Sequence, residues 1–278
     1  MKTVKTKARW WVIPDALWKK IAPLLPKRVN RHPFGGGRPP VPARKVLNGI
    51  LFVLRTGCQW NALNATGICR SSTAHARFQA WRRVGVFAKL WARGLREYAR
   101  VKGLDWSWQS MDGTMSKAPL GGAHTGPNPT DRAKGGVKRS LLCEGRGVPI
   151  GVAVAGANRH DMKLVAPTLE SIPVARPKPT PRKPQGLCLD KGYDYEEVRD
   201  LAHTFGYTAH IRARGEEAQA IKRAAGFKAR RWVVERTHSW MNRFRRILIR
   251  WEKIPENYLA LLHLVCAIIT FRCMGLFG

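Results

Sequence analysis

Acidic residues are scarce in this chain. Its 278 residues carry 18 Asp and Glu against 50 Lys and Arg, a formal net charge of +32. Uncompensated like charge costs stability through self-repulsion. The imbalance therefore calls for a polyanionic partner, whose counterions are released on binding. Cysteine is sparse too: none of the six forms a Cys-x-x-Cys pair, and no Cys/His cluster has zinc spacing. That argues against a zinc site. Cys188 and Cys266 sit inside apolar runs, where a thiol behaves as a small hydrophobe, so reduced, buried cysteines and a cytoplasmic location are expected. No apolar stretch follows the basic Met1–Arg9, so no secretory signal is expected. The run Tyr258–Phe271 is too short to span a bilayer and contains His263. It predicts a buried terminal helix and no membrane contact. There is no internal repeat.

What charge there is falls unevenly. Residues 1–103 hold 22 lysines and arginines but only two acids, Asp15 and Glu97. This third reads as a helical nucleic-acid-binding module. Apolar spacing predicts helices over Asp15–Leu25 and Pro42–Arg55, a helical turn at Trp60–Leu63, and a further helix over about Ala88–Val101. Between the last two, Ser71-Ser72-Thr73 offers hydroxyl N-caps. The helix that follows places Ala74, Phe78 and Trp81 inward, with Arg77, Arg82 and Arg83 left outward for DNA. A basic Gly/Pro-rich arm, Phe34–Pro40, is either a minor-groove contact or a linker.

After Gly103 the pattern changes to α/β. Strands are expected at Trp106–Asp112, Gly135–Cys143, Val148–Ala157, Gly186–Asp190 and Thr208–Ile211. Helices are expected at Asp161–Leu169, Tyr195–Phe205, Ala229–Ile249 and Glu256–Phe271, with a Pro- and Lys/Arg-rich surface loop over Ile172–Gln185. This is the element order of a ribonuclease H-like domain, a mixed sheet with flanking helices, over residues 104–278.

Three acids stand out. Asp112 and Asp190 each end an expected strand beside a glycine, where a carboxylate points into the crevice above an α/β sheet. Glu235 lies on the long helix, whose core stripe reads as Val233, Thr237, Trp240, Phe244, Ile247 and Trp251. Arg231, His238, Asn242 and Arg245 share the outer side with Glu235. About three carboxylates on rigid elements suit two Mg²⁺ ions acting on a phosphodiester. An i,i+4 ion pair between Glu235 and Arg231 is the structural alternative. Asp161 reads as a helix cap, and Asp194, Glu196 and Glu197 as acids at a helix start.

These residues, in order, resemble the DDE transposases of bacterial insertion sequences, in the insertion sequence 4/insertion sequence 5 superfamily and most like its insertion-sequence-5-like members. The matching segments are Ser110–Thr114, Asp131–Ser140, Gly156–Asp161, Leu189–Tyr193 and Arg231–Thr237. The N-terminal third also resembles that family's helix-turn-helix-like DNA-binding region. Of the family's Tyr–Arg–Glu–Lys signature, Arg231 and Glu235 fill two places, while Lys228 and Asn242 stand where Tyr and Lys are usual. The stretch between Asp190 and Glu235 leaves no room for a large inserted domain.

The resemblance implies an insertion-sequence transposase with Asp112, Asp190 and Glu235 as catalytic and metal-binding residues. Two Mg²⁺ ions, or Mn²⁺, would serve each site. It implies binding of terminal inverted repeats, cleavage of the element ends by activated water, and joining of the 3′-hydroxyl to target DNA. A dimer or larger assembly on DNA, in a bacterial nucleoid, goes with this. Lys134, Lys138, Arg139, Arg231, Arg236, Arg243 and Arg245, with Arg246 beside them, are expected to contact phosphates. Asn158, His160 and His238 are candidate accessory residues. The alternatives are a nuclease of the same fold without strand transfer, and an inactive DNA-binding derivative.

Overall fold

The computed structural model describes residues 11–27, 39–211 and 232–277. Residues 34–38 of the expected arm, Lys228 and Arg231 lie outside this set.

The N-terminal third is helical. Helix α1 (Asp15–Ile21) tightens into a 3₁₀ turn at Ala22–Leu24, where Pro23 cannot donate to the helical ladder. Helix α2 (Ala43–Thr56) buries Val46, Leu47, Ile50, Val53 and Leu54. It stops at Gly57, which takes φ 73°, a conformation only glycine adopts cheaply. Helices α3 (Ser71–Arg83) and α4 (Val86–Lys102) follow. The expected hydroxyl cap on α3 is absent: Ser71 is already helical, and no side chain at Arg70 caps it. The 3₁₀ turn Trp60–Ala65 folds back there instead. Asn64 Oδ1 accepts the Ser71 N–H at 2.9 Å, and the Ser71 hydroxyl donates to Asn61 Oδ1 at 3.3 Å.

The sheet is built from β1 (Trp108–Lys117), β2 (Gly126–Pro127), β3 (Gly135–Glu144), β4 (Pro149–Gly156), β5 (Gly186–Leu189) and β6 (Thr208–Ile211). Its order is β4–β3–β1–β5–β6, with the two-residue β2 pairing the start of β3. β3 runs antiparallel to β1 and β4, while β5 and β6 run parallel to β1. This is the mixed ribonuclease H-like sheet. Helices α5 (Val165–Glu170), α6 (Glu196–Thr204), α7 (Trp232–Asn242) and α8 (Pro255–Cys273) flank it. Successive strand residues point to opposite faces. On β3, Arg139 reaches Asn242 of α7 while Ser140 meets Thr168 of α5, so both faces are covered.

Two expectations change. The helix expected to run to Ile249 ends at Asn242, because Phe244 leaves helical geometry (φ −100°, ψ 88°) to bury itself beneath the end of α2. Arg55 stacks on its ring at 4.7 Å. The last helix has 19 residues, long and apolar enough by length and composition to cross a membrane, yet 72% of its apolar window is buried in the fold.

Helix α8 packs along α4, where a Cβ on Gly94 would meet the Phe271 ring at 3.3 Å. Trp91 of α4 stacks on His263 and donates its Nε1–H to Pro149 O at 3.0 Å. Apolar side chains from both sides of residue 103 thus share one core. The change at Gly103 is one of secondary structure, not a break in packing.

Candidate active site

Asp112 lies inside β1 rather than at its end, since the antiparallel pairing with β3 continues to Lys117. The parallel pairing with β5 stops sooner. Its last rung is Ser110 opposite Cys188, and the same register brings Asp112 level with Asp190. β5 ends at Leu189, and Asp190 caps the 3₁₀ turn Lys191–Tyr193, its Oδ1 accepting the Gly192 N–H at 2.9 Å. Asp112 therefore stands where a strand edge opens.

Helix α7 crosses β1 and β3. Its buried face is Val233, Val234, Thr237, His238 and Met241; Val233 and Thr237 belong to the expected stripe, whose Phe244 and Ile247 are buried beyond the helix while Trp240 is half-buried. His238, expected outward, is buried instead, because that side of the helix meets β1, and Trp251, expected in the stripe, is exposed. His238 Nε2 sits 3.4 Å from the Asp112 carbonyl oxygen and 4.0 Å from its Oδ2. Burial, and then the Arg139 charge, press the His238 pKa down to about 3. The ring is neutral, so it can donate one hydrogen bond but brings no positive charge.

A fourth carboxylate joins the cluster. Asp161 is not the helix cap expected from sequence; His160 takes that place, accepting the Met162 N–H. Asp161 instead leans over Gly113, where a Cβ would lie 2.4 Å from its Oδ1. It pairs with the buried Lys138 at 2.9 Å. The adjacency of Asp112 and Gly113 in β1 was the available signal for a side chain seated there.

Burial is the main cause that raises the Asp112 pKa, from 3.8 to about 6. A backbone hydrogen bond from Gly113 opposes it, and the charges of Asp190, Glu235 and Asp161 add to it. Tyr193, buried beside Gly113, is pushed well up by burial and then by Asp161, Asp112 and Asp190. Among the described residues, no three His, Cys, Asp or Glu side chains converge tightly enough to hold a metal ion. The donor set itself, hard carboxylate oxygens with no thiol, is the kind Mg²⁺ and Mn²⁺ take.

Several expected phosphate contacts are internal. Arg139 is fully buried and donates to Asn242 Oδ1 at 3.0 Å. Lys138 is held by Asp161. Arg246 is buried against Glu252 at 2.8 Å. Each lies on a segment packed from both sides, which the sequence did not reveal. Arg236 is half-buried between the rings of Trp232 and Trp240, with its Nη2 donating to Arg146 O at 2.5 Å. Lys134, Arg243, Arg245 and Arg83 are exposed, and Arg77 and Arg82 are half-exposed. Asn158 is exposed beside Gly126 and Gly156. His160 is exposed too, its Nε2 3.3 Å from the Tyr195 hydroxyl. Cys58, Cys69 and Cys273 are only half-buried, and none of the six cysteines forms a disulfide.

A sheet in this order, with acids brought together from β1, from the end of β5 and from a helix crossing β1, defines the ribonuclease H-like class of enzymes acting on nucleic acid strands. Residues 109–270 match the family model described as "Transposase DDE domain", and residues 13–91 match "Putative transposase of IS4/5 family". The chain belongs to the DDE transposases of this IS4/5 type. One relative, described as "Putative transposase for insertion sequence element IS402" from Burkholderia cepacia, is 36% identical over 54% of this chain and 70% of its own length. Another, "Insertion element IS402 uncharacterized 16.2 kDa protein" from the same organism, is 36% identical over 42% of this chain and 81% of its own. Among solved structures, the catalytic domain of Mos1 mariner transposase aligns with 66% of this chain and 91% of its own at 11% identity and a TM-score of 0.28.

Proposed function

We propose that this transposase cuts and rejoins DNA at the ends of an insertion sequence, with Asp112, Asp190 and Glu235 as the residues that hold two divalent metal ions, Mg²⁺ or Mn²⁺. The observation that carries it is the placing of acids about one strand of a DDE transposase domain, with Asp112 on β1, Asp161 over Gly113, Asp190 just past β5 and Glu235 on the helix whose His238 meets Asp112, in a chain of net charge +32. Such a cluster is stable at neutral pH once cations neutralise it. Bound there, the ions would stabilise charge at the phosphorus and make the attacking oxygen more acidic.

The chain's own residues do the rest. Neutral His238 steadies the Asp112 main chain from beneath. The Gly192 N–H orients Asp190. Lys138 offsets the charge of Asp161 beside Asp112. Glu235 sits on the exposed face of α7, one turn before His238. Residues 1–103 take the terminal inverted repeats, with Arg77, Arg82 and Arg83 on α3. Lys134, Arg236, Arg243 and Arg245 add phosphate contacts, as does Arg231, which lies outside the described residues, and two copies of the chain hold two ends together.

The test is a labelled duplex carrying the element's terminal repeat, a supercoiled target and Mg²⁺, with Asp112→Ala, Asp190→Ala and Glu235→Ala as comparators. Joined product from the parent alone, with binding retained in all four, supports the reading. Cleavage without joining would mark a nuclease, and binding without either product a DNA-binding derivative.

A further inference from the structure

The end of the sheet away from the acids holds a cavity of about 830 Å³. Gly186 begins β5 at this cavity, and Asp190 follows the same strand's other end, about 13 Å away at 3.3 Å per residue. One wall is aromatic: Trp106, Trp108 and His210, the last two in contact at 4.4 Å between ring centroids. Gly186 permits that contact, since a Cβ there would come 2.8 Å from the Trp108 ring and 3.0 Å from His210. The other wall is the Pro-rich loop, which contributes Lys178, Arg182 and Lys183. No Asp or Glu stands among the described residues lining the cavity.

The loop is pinned in place. Arg176 lies over the Tyr207 ring at 3.9 Å and donates to Phe205 O, and Thr180 and Lys183 exchange backbone hydrogen bonds. Gln185, 4% exposed, lines the cavity as well. Its amide nitrogen donates to Pro177 O at 2.8 Å, while its Oε1 is buried with no hydrogen-bond partner among the described residues.

From this juxtaposition we infer that the cavity binds an unstacked nucleotide of a DNA strand, separately from the catalytic acids. The aromatic wall takes the base, and Lys178, Arg182 and Lys183 take the flanking phosphates. Aromatic platforms beside cations are how single strands are held without sequence preference.

The inference rests on the DNA reading above, but its test needs no chemistry. The full chain, without divalent metal, is titrated with a fluorescent five-nucleotide single strand and with an abasic strand of equal length. The base-containing strand is expected to bind about tenfold tighter. Trp106→Ala brings the ratio near one, and Arg182→Glu with Lys183→Glu, on exposed side chains, weakens both strands several-fold. Equal affinity of the parent for the two strands overturns the inference, as does indifference of both strands to the charge reversal. A free mononucleotide binding as tightly as the strand overturns the strand assignment. None of these results bears on whether Asp112, Asp190 and Glu235 cut DNA, and failure of those variants to lose cleavage leaves this site standing.

Discussion

Asp112→Asn should make the metal-free protein more stable. The Asp112 pKa is about 6 in the fold against 3.8 for an unperturbed carboxyl, so the native state disfavours its charge. At 1.36 kcal/mol per pKa unit, ionised Asp112 costs the fold at most about 3 kcal/mol at pH 7. The side chain is 26% exposed, and screening brings the figure nearer 2 kcal/mol. The sign follows from the raised pKa. Below pH 4 the carboxyl is protonated in both folded and unfolded states, and its full contribution to stability is present. That contribution is lost as pH rises from about 4 through 6 and stays lost above. Asparagine keeps the size without the charge, so it escapes the loss. In thermal unfolding without metal at pH 7, the variant should melt roughly 4–8 °C above the parent, and the gap should close towards pH 4. Added Mg²⁺ should raise the parent alone, narrowing the gap at pH 7. A variant no more stable than the parent at pH 7, or a gap unchanged at pH 4, would refute the argument that Asp112 is a desolvated, repelled carboxylate.

Other outcomes follow from the same geometry. Gly113→Ala places a methyl 2.4 Å from Asp161 Oδ1 and should destabilise by about 1–3 kcal/mol in urea unfolding; an unchanged midpoint would mean that Asp161 does not lean over β1. Lys138→Met leaves Asp161 unpaired beside three other acids and should cost about 2–3 kcal/mol at pH 7. Urea unfolding measures it, and an unchanged midpoint would mean that the pair adds nothing to the fold. Replacing Arg77, Arg82 and Arg83 together by alanine should lower the salt dependence of terminal-repeat binding, the log–log slope falling by up to about 3. An identical slope in the variant would move the DNA contact off α3.

Much of the fold was legible because periodicity is local. The spacing of Val46, Ile50 and Val53 announces α2, and the turn Gly145-Arg146-Gly147 separates β3 from β4 as expected. Errors fell where a distant partner decided. On α7 the expected stripe holds at Val233 and Thr237, and at Phe244 and Ile247 beyond it, but His238 turns inward because β1 lies close on that side, which the period alone does not say. Arg139 and Lys138 look like phosphate contacts from sequence, which shows an arginine and a lysine but not the Asn242 and Asp161 that meet them inside. The cap of α3 was assigned to its own hydroxyls, although two asparagines from the preceding turn supply the contacts.

The sequence by itself determined the preference for a polyanionic partner, the family, the α/β order and the identity of the three acids proposed for the site, since all of these reside in residue types and their order along the chain. Tertiary structure alone decided that Asp112 stands level with Asp190, because strand register is a relation between segments far apart in sequence. It decided that His238 is a buried neutral prop, and that Asp161 belongs with the acids. It also decided that the cationic loop faces an aromatic wall across a cavity. Burial and proximity set charge states and contacts, and neither is a property of any residue read alone.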